Sequence, residues 1–378
     1  MPRTAILAIF TAALLGAAPL YAAGQQQAAA VATAVTPAVT PAAGAIERYQ
    51  PRFGRSRPLV AVVGDNHGTE LTDFVIPYSV LRRAGVADVL AVATQDGPLQ
   101  MLPGLRIAPD VAIAQFDERY PDGADYVIVP AVVHDAGPAL PQWVAAQAAK
   151  GATIVSICDG ALVLANSGIM KGKSGTGHWA TDSLRKDRYP ETRWLDNARY
   201  VADGKVVSSA GISASLPVSL ALVEAIAGTE RATALAEEMA AGDWSQAHDS
   251  APFRPRFGVN LAAHATRFTN PVLHHKDMLA VQVADGVDEL ALALTVDAWS
   301  RTGRSKAYAA SGADVPVRTL NGLSVLPEAP GLVPDRMLAA QAAPPGKVFG
   351  HLLDDIAQAY GKLTAHRVAL DFEYPGYP

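Results

Sequence analysis

Apolar residues fall along this chain in short runs that end in small or turn-forming residues. Leu59 to Val63 (LVAVV) stops at Gly64, Tyr126 to Val129 (YVIV) stops at Pro130, and Thr153 to Ile157 (TIVSI) runs straight into Cys158. Val89 to Ala93 is a further run of this kind. Such uninterrupted apolar stretches suit strands buried on both faces. Between them the period changes. Thr72 to Ala84 places Phe74, Val75, Tyr78 and Leu81 on one helical face, and Pro141 to Lys150 opens on a proline, which a first helical turn accepts. Strands alternating with helices predict an α/β fold built on a doubly wound parallel sheet. Near the C-terminus, Leu352, Ile356, Tyr360 and Leu363 form a stripe at helical spacing within Gly350 to Arg367, which predicts a helix packed on the core.

The pattern also repeats. Leu102 to Asp110 (LPGLRIAPD) is echoed by Leu320 to Glu328 (LNGLSVLPE). Val60 to Leu71 (VAVVGDNHGTEL) is echoed by Leu279 to Leu290 (LAVQVADGVDEL), and Arg82-Arg83-Ala84-Gly85 by Ser300-Arg301-Thr302-Gly303. Self-similarity of this kind changes the domain reading. It predicts a second, partial βαβ unit over 246–378, without a cysteine, beside a main domain over 58–245.

The N-terminus reads differently. Arg3 precedes an apolar stretch from Ala5 to Pro19, and small residues follow at Ala22 and Ala23. This is the pattern of a secretory signal over residues 1–23. The apolar stretch falls short of the roughly 20 residues of a bilayer span, so no stable membrane span is expected after processing, and the location is expected to be secreted or periplasmic. Residues 24–57 are expected to form a linker, rich in Ala, Thr and Pro in its first part, extended and mobile from Gly24 to Ala45.

Composition narrows the function. Of the 378 residues, 50% are hydrophobic and 18% charged, which supports a large core and excludes wholesale disorder. A formal charge of -5 and the lack of a Lys/Arg run argue against a nucleic-acid partner. There is no dinucleotide or P-loop fingerprint. His264, His274 and His275 have no ligand spacing to Cys or acids on one helix face, so no metal is expected.

Cys158 is the only cysteine, so no disulfide can form within the chain. The strand TIVSI, the turn Cys158-Asp159-Gly160-Ala161 and the helix from Leu162 to Ser167 place this thiol at a strand–turn–helix junction over the sheet edge. The small residues Gly160 and Ala161 let the helix approach closely, and a helix N-terminus favours a thiolate.

The stretch IVSICDGALVLANSGIMKGKSGTGHW, followed by RYPETRWLDNARYVADGKVVSSAGISASLPVSLALVE, resembles the DJ-1/PfpI (ThiJ) family of the class I glutamine-amidotransferase-like superfamily. The resemblance spans roughly Leu59 to Met239 and is nearest to the amidase-like domain of AraC-type regulators, here without a helix-turn-helix. It implies a flavodoxin-like three-layer sandwich and an acid from the first βα turn beside the cysteine. Asp73, four residues before Pro77, holds the family position, with Glu70 as the alternative. It also places His178 of GTGHW near the thiol. Backbone N–H groups near Ala131 and Asp159 are candidates for holding developing negative charge, and Gly160, Ser209 and Gly211 are candidates for the pocket wall. Two positions depart from the family. Asp159 replaces a threonine and tends to raise the thiol pKa. Ala131-Val132 replace Gly-Gly and narrow the pocket.

Two functions follow from the resemblance. One is a cysteine-nucleophile hydrolase, hydratase or glyoxalase-like enzyme, needing no cofactor and acting on a small carbonyl, amide or isocyanide-type substrate. The other is a non-catalytic ligand-binding or redox-sensing module. The family also implies a homodimer, unless the C-terminal repeat covers the usual dimer surface.

Overall fold

The computed structural model describes residues 44–313, 315–328, 331–339 and 341–377. The expected signal peptide and most of the expected linker lie outside the described residues. The part of the linker that is described, residues 44–57, packs on the main domain. Ile46 is buried, Tyr49 N donates to Ala225 O at 2.9 Å, and Arg52 and Arg55 both pair with the buried Asp125 carboxylate, at 2.9 and 3.0 Å. The folded body therefore begins ahead of Pro58. The cause is a buried acid that needs cations from outside its own strand.

The main domain runs through β1 (Leu59–Gly64), α1 (Leu71–Ala84), β2 (Asp88–Ala93), β3 (Leu99–Leu102), β4 (Leu105–Ala108), β5 (Val111–Ala112) and β6 (Tyr126–Val129). It continues with α2 (Ala139–Ala149), β7 (Thr153–Ser156), α3 (Gly160–Asn166), β8 (Tyr200–Asp203), β9 (Val206–Ser209), α4 (Ser215–Ala227) and α5 (Thr229–Glu238). Seven strands form one sheet in the order β8-β9-β7-β6-β1-β2-β5. All neighbours are parallel except β8 and β9. Alternate residues of β1 feed two cores. Val60 and Val62 pack with Phe74 of α1 and Val218 of α4. Leu59, Ala61 and Val63 pack with Trp143 of α2 and Val163 of α3. Helices thus cover both faces, which explains why the strands are apolar throughout. The fold is the expected three-layer α/β sandwich.

The C-terminal part contains α6 (Leu261–Leu273), β10 (Asp277–Gln282), α7 (Glu289–Arg301), β11 (Ser305–Ala310), β12 (Ser324–Leu326), β13 (Arg336–Leu338), α8 (Pro345–Tyr360) and α9 (Lys362–Asp371). Its sheet places β10 between β11 and β13, all parallel, as β1 lies between β2 and β6. The stretch read as one C-terminal helix is two. Gly361, at φ 89°, separates α8 from α9, and Gly228, at φ 88°, separates α4 from α5 in the same way. The break turns Leu363 outward, where it is 52% exposed, while Leu352 and Ile356 stay buried.

The two parts meet along matching segments. β4 and β12 pair antiparallel with Ile107 opposite Val325, Arg106 opposite Leu326 and Ala108 opposite Ser324. Helix α1 packs on α7. Arg83 of α1 pairs with Asp288, the N-cap of α7, at 2.7 Å, and Arg301 of α7 pairs with Glu70, the N-cap of α1, at 2.6 Å. The contacts repeat about a local two-fold axis through the Ile107–Val325 pair. No helix among the described residues is long and apolar enough to cross a membrane.

Candidate functional site

Strands β1, β6, β7 and β9 lie side by side, and their carboxyl ends carry the turns that build the site, as the open-sheet rule expects. Cys158 follows β7. Its backbone sits at φ 55°, a left-handed conformation that costs a non-glycine residue about 1–2 kcal/mol. The turn is pinned: Cys158 N donates to Ala210 O at 3.1 Å, and Gly160 N to Ile157 O at 2.8 Å. Gly160 is required by the close approach of α3 to the end of β6, because a Cβ there would lie 2.1 Å from Val129 O. The thiol itself is buried, at 6% exposure.

Asp73 stands on the first turn of α1 and is fully buried. Its Oδ2 accepts from Ala131 N at 3.2 Å, whereas its Oδ1 is buried with no hydrogen-bond partner among the described residues. Glu70 is differently employed. It caps α1 through Asp73 N at 2.5 Å and is clamped by Arg301 at 2.6 Å. Arg301 in turn holds the buried Asp297 at 2.5 Å. Of the two acids considered from the sequence, Asp73 keeps an unengaged oxygen and Glu70 does not. Ala131, expected to offer its N–H to substrate charge, has that N–H bonded to Asp73, and its carbonyl accepts from Glu70 N at 2.8 Å. It is a strut for the acid rather than a free donor.

His178 is likewise committed. Its Nδ1 accepts from Ala180 N at 3.2 Å, and its Nε2 lies 3.1 Å from Asp371 O. These partners fix the tautomer with its proton on Nε2 and leave neither nitrogen for the thiol. The ring is a wall held by the C-terminal tail. Asp159 is drawn to the other side. Its Oδ1 accepts from Thr181 Oγ1 at 2.5 Å and faces the buried Arg185 at 3.8 Å. Ser209 is fully buried, with its hydroxyl on Ala210 O at 3.3 Å. Gly211 leaves room for two side chains, since a Cβ there would meet Glu373 at 2.7 Å and His178 at 2.8 Å.

Glu373, His248 and Arg301 are the site residues that sequence reading missed. Glu373 follows α9 at φ 53°, as Ala240 follows α5 at φ 50°. Its carboxylate accepts from Trp179 N at 3.0 Å and lies 2.9 Å from His248 Nε2. Nothing local in the tail signals this role. Arg301 did carry a signal, its place in the echo of Arg82-Arg83-Ala84-Gly85.

Burial pushes the Cys158 thiol well above its ordinary value, with Asp73 the strongest carboxylate contribution, followed by Asp159, Glu70 and Glu373. Burial likewise raises Asp73 to about 7, against the opposing pull of the Ala131 N–H and Arg301. Glu70 is raised to about 7 by burial and by Asp73. For Glu373, burial acts upward but is outweighed by the His248 hydrogen bond, His178 and Trp179 N–H, which hold the group below the ordinary glutamate value. At rest near neutrality the site therefore holds a protonated thiol beside a carboxyl poised to gain or lose a proton. Such a pair can move one proton between sulfur and carboxylate while sulfur attacks an electrophile.

A family model described as the DJ-1/PfpI family matches residues 59–225. The Parkinson disease protein 7 homolog of Danio rerio is 31% identical over 170 residues, covering 43% of this chain and 87% of the relative. The HTH-type transcriptional regulator CdhR of Pseudomonas aeruginosa is 30% identical over 125 residues, 32% of this chain and 37% of the regulator. The isonitrile hydratase of Pseudomonas putida is 28% identical over 166 residues, 42% of this chain and 68% of the hydratase. With these matches and the strand–turn–helix that presents Cys158, the chain belongs to the DJ-1/PfpI family.

Proposed function

We propose that this protein is a cofactor-independent enzyme in which Cys158 adds to a small neutral electrophilic carbon, of the carbonyl or isocyanide type, with Asp73 as the proton carrier. One observation carries the reading: the sole thiol sits at a strained turn beside a buried carboxyl whose Oδ1 has no partner among the described residues. As the S–C bond forms, the thiol proton passes to Asp73. Asp73 returns it to the adduct, and water then releases the product, which is hydratase, hydrolase or glyoxalase-like chemistry. The preference for a neutral substrate follows from the four carboxylates that act on the thiol, which oppose an entering anion. Similarity to an isonitrile hydratase supports the class.

The C-terminal unit is read as a second copy that has lost the cysteine-bearing strand and serves as a built-in partner, supplying Arg301 and Glu373 to the site. The signal-like N-terminus supports action outside the cytoplasm.

The binding-module alternative is favoured by the raised thiol, which is not a preformed nucleophile. One screen separates the readings, using an isocyanide, a 2-oxoaldehyde and a simple amide with wild type, Cys158→Ser and Asp73→Asn. The enzyme reading expects turnover of one class that falls at least about a hundredfold in both variants. Stoichiometric binding of a ligand without turnover, unchanged in Cys158→Ser, would establish the module instead.

A further inference from the structure

At the carboxyl ends of β1 and β6, outside the machinery just described, two loops bring together Asp65 and His67, two positions apart, with His134, 69 and 67 positions further on. Asp65 Oδ1 lies 3.5 Å from His67 Nδ1 and 3.8 Å from His134 Nδ1, and the three ligand atoms all lie within 4.8 Å of one another. We propose that these residues bind a zinc-class divalent cation on the loops that follow β1 and β6.

The distances fit the chemistry. An ion bound at roughly 2.1 Å to the aspartate and each histidine would make Asp–metal–His angles of about 113° and 130°, a tetrahedron opened on one side that small side-chain shifts can reach. Two imidazoles and one carboxylate favour zinc-like ions over calcium or magnesium. The cradle is fixed without the ion. Val133 N donates to Gly68 O at 2.9 Å, joining the two loops. Thr69 Oγ1 donates to Asp65 O at 2.9 Å and His67 N to Asp65 Oδ1 at 2.9 Å, while Asp65 Oδ2 lies 3.3 Å from Thr94 Oγ1. The Asp65 side chain is 15% exposed, and those of His67 and His134 are 61% and 60%. The carboxylate is thus anchored, and the ion's remaining positions face solvent, the pattern of an open site rather than a closed structural one. The loop that carries His134 also braces the buried acid, since Ala131, three residues before His134, donates to Asp73.

The test is calorimetric titration with zinc of tag-free full chain in a Cys158→Ser background, which removes the thiol as a rival ligand. A second group, His275, Asp277 and Asp335, supplies the control. The expected result is one site per chain, weakened at least roughly tenfold by His134→Ala and by Asp65→Asn and unchanged by His275→Ala. Both histidines are surface groups, and thermal melts confirm that the variants fold. No binding at one equivalent, or binding indifferent to His134→Ala and Asp65→Asn, overturns the proposal. Because the readout is metal affinity, it succeeds or fails independently of Cys158 chemistry.

Discussion

Replacing Asp73 by asparagine should make the protein more stable at alkaline pH. Asp73 is fully buried, and burial raises its carboxyl from 3.8 to about 7. A group whose folded value is raised binds more protons in the folded than in the unfolded state between those two pH values. Stability therefore falls as pH rises from about 4 to 7 and stays reduced above 7. A shift of that size corresponds to about 4 kcal/mol at most. Because Asp73 and Glu70 share the region, we take about 2–4 kcal/mol for Asp73. Asparagine keeps the shape, keeps an acceptor for Ala131 N, and carries no charge to desolvate. In thermal or urea unfolding at pH 8, Asp73→Asn should exceed wild type by that amount, on the order of 4–8 °C in Tm for a chain of this size. The difference should shrink to about 0.6 kcal/mol at pH 4 and vanish below about pH 3, where wild-type Asp73 is protonated in both states. Equal or lower stability at pH 8, or the same difference at both pH values, would refute the account of Asp73 as a strained functional acid.

Three further outcomes follow. Gly160→Ala places a Cβ 2.1 Å from Val129 O and 2.9 Å from Pro130 O; backbone on both sides has no room to relax, so a loss of at least about 3 kcal/mol is expected in denaturant unfolding. Arg301→Met strips the cation from Glu70 and the buried Asp297, and breaking such a buried pair should destabilise by about 3–5 kcal/mol. That loss should shrink as pH falls and the two acids take up protons, which unfolding at pH 8 and pH 5 will check. Light scattering should report a monomer, because the C-terminal unit already pairs β12 with β4 and α7 with α1; a stable dimer would contradict the built-in partner.

How much of this was legible in the sequence depends on distance along the chain. The apolar runs and the Cys158-Asp159-Gly160-Ala161 turn are local, and local sterics suffice to place a cysteine at a strand end over a glycine that touches β6. Asp73 was within reach because it lies on the helix that follows β1. His178 and Ala131 were assigned free polar groups that they do not have. The partners that occupy them, Asp371 O and the Asp73 carboxylate, lie 193 and 58 positions away. Glu373 comes from the tail of the other unit, and no periodicity in the main domain announces it. Asp65, His67 and His134 meet only because β1 and β6 are adjacent, a pairing that strand order reveals and spacing does not. The single C-terminal helix failed at Gly361, whose positive φ outweighs an otherwise continuous stripe.

The most direct test of the central claim, a thiol coupled to Asp73, is the pH dependence of Cys158 alkylation by iodoacetamide in wild type and Asp73→Asn. The account predicts two steps in wild type, one near pH 7 as Asp73 becomes the base and one well above the free-thiol value of about 8.5. Asp73→Asn should lose the lower step and move the upper one down, because a like charge beside the sulfur is gone. Superimposable profiles for the two proteins would contradict it.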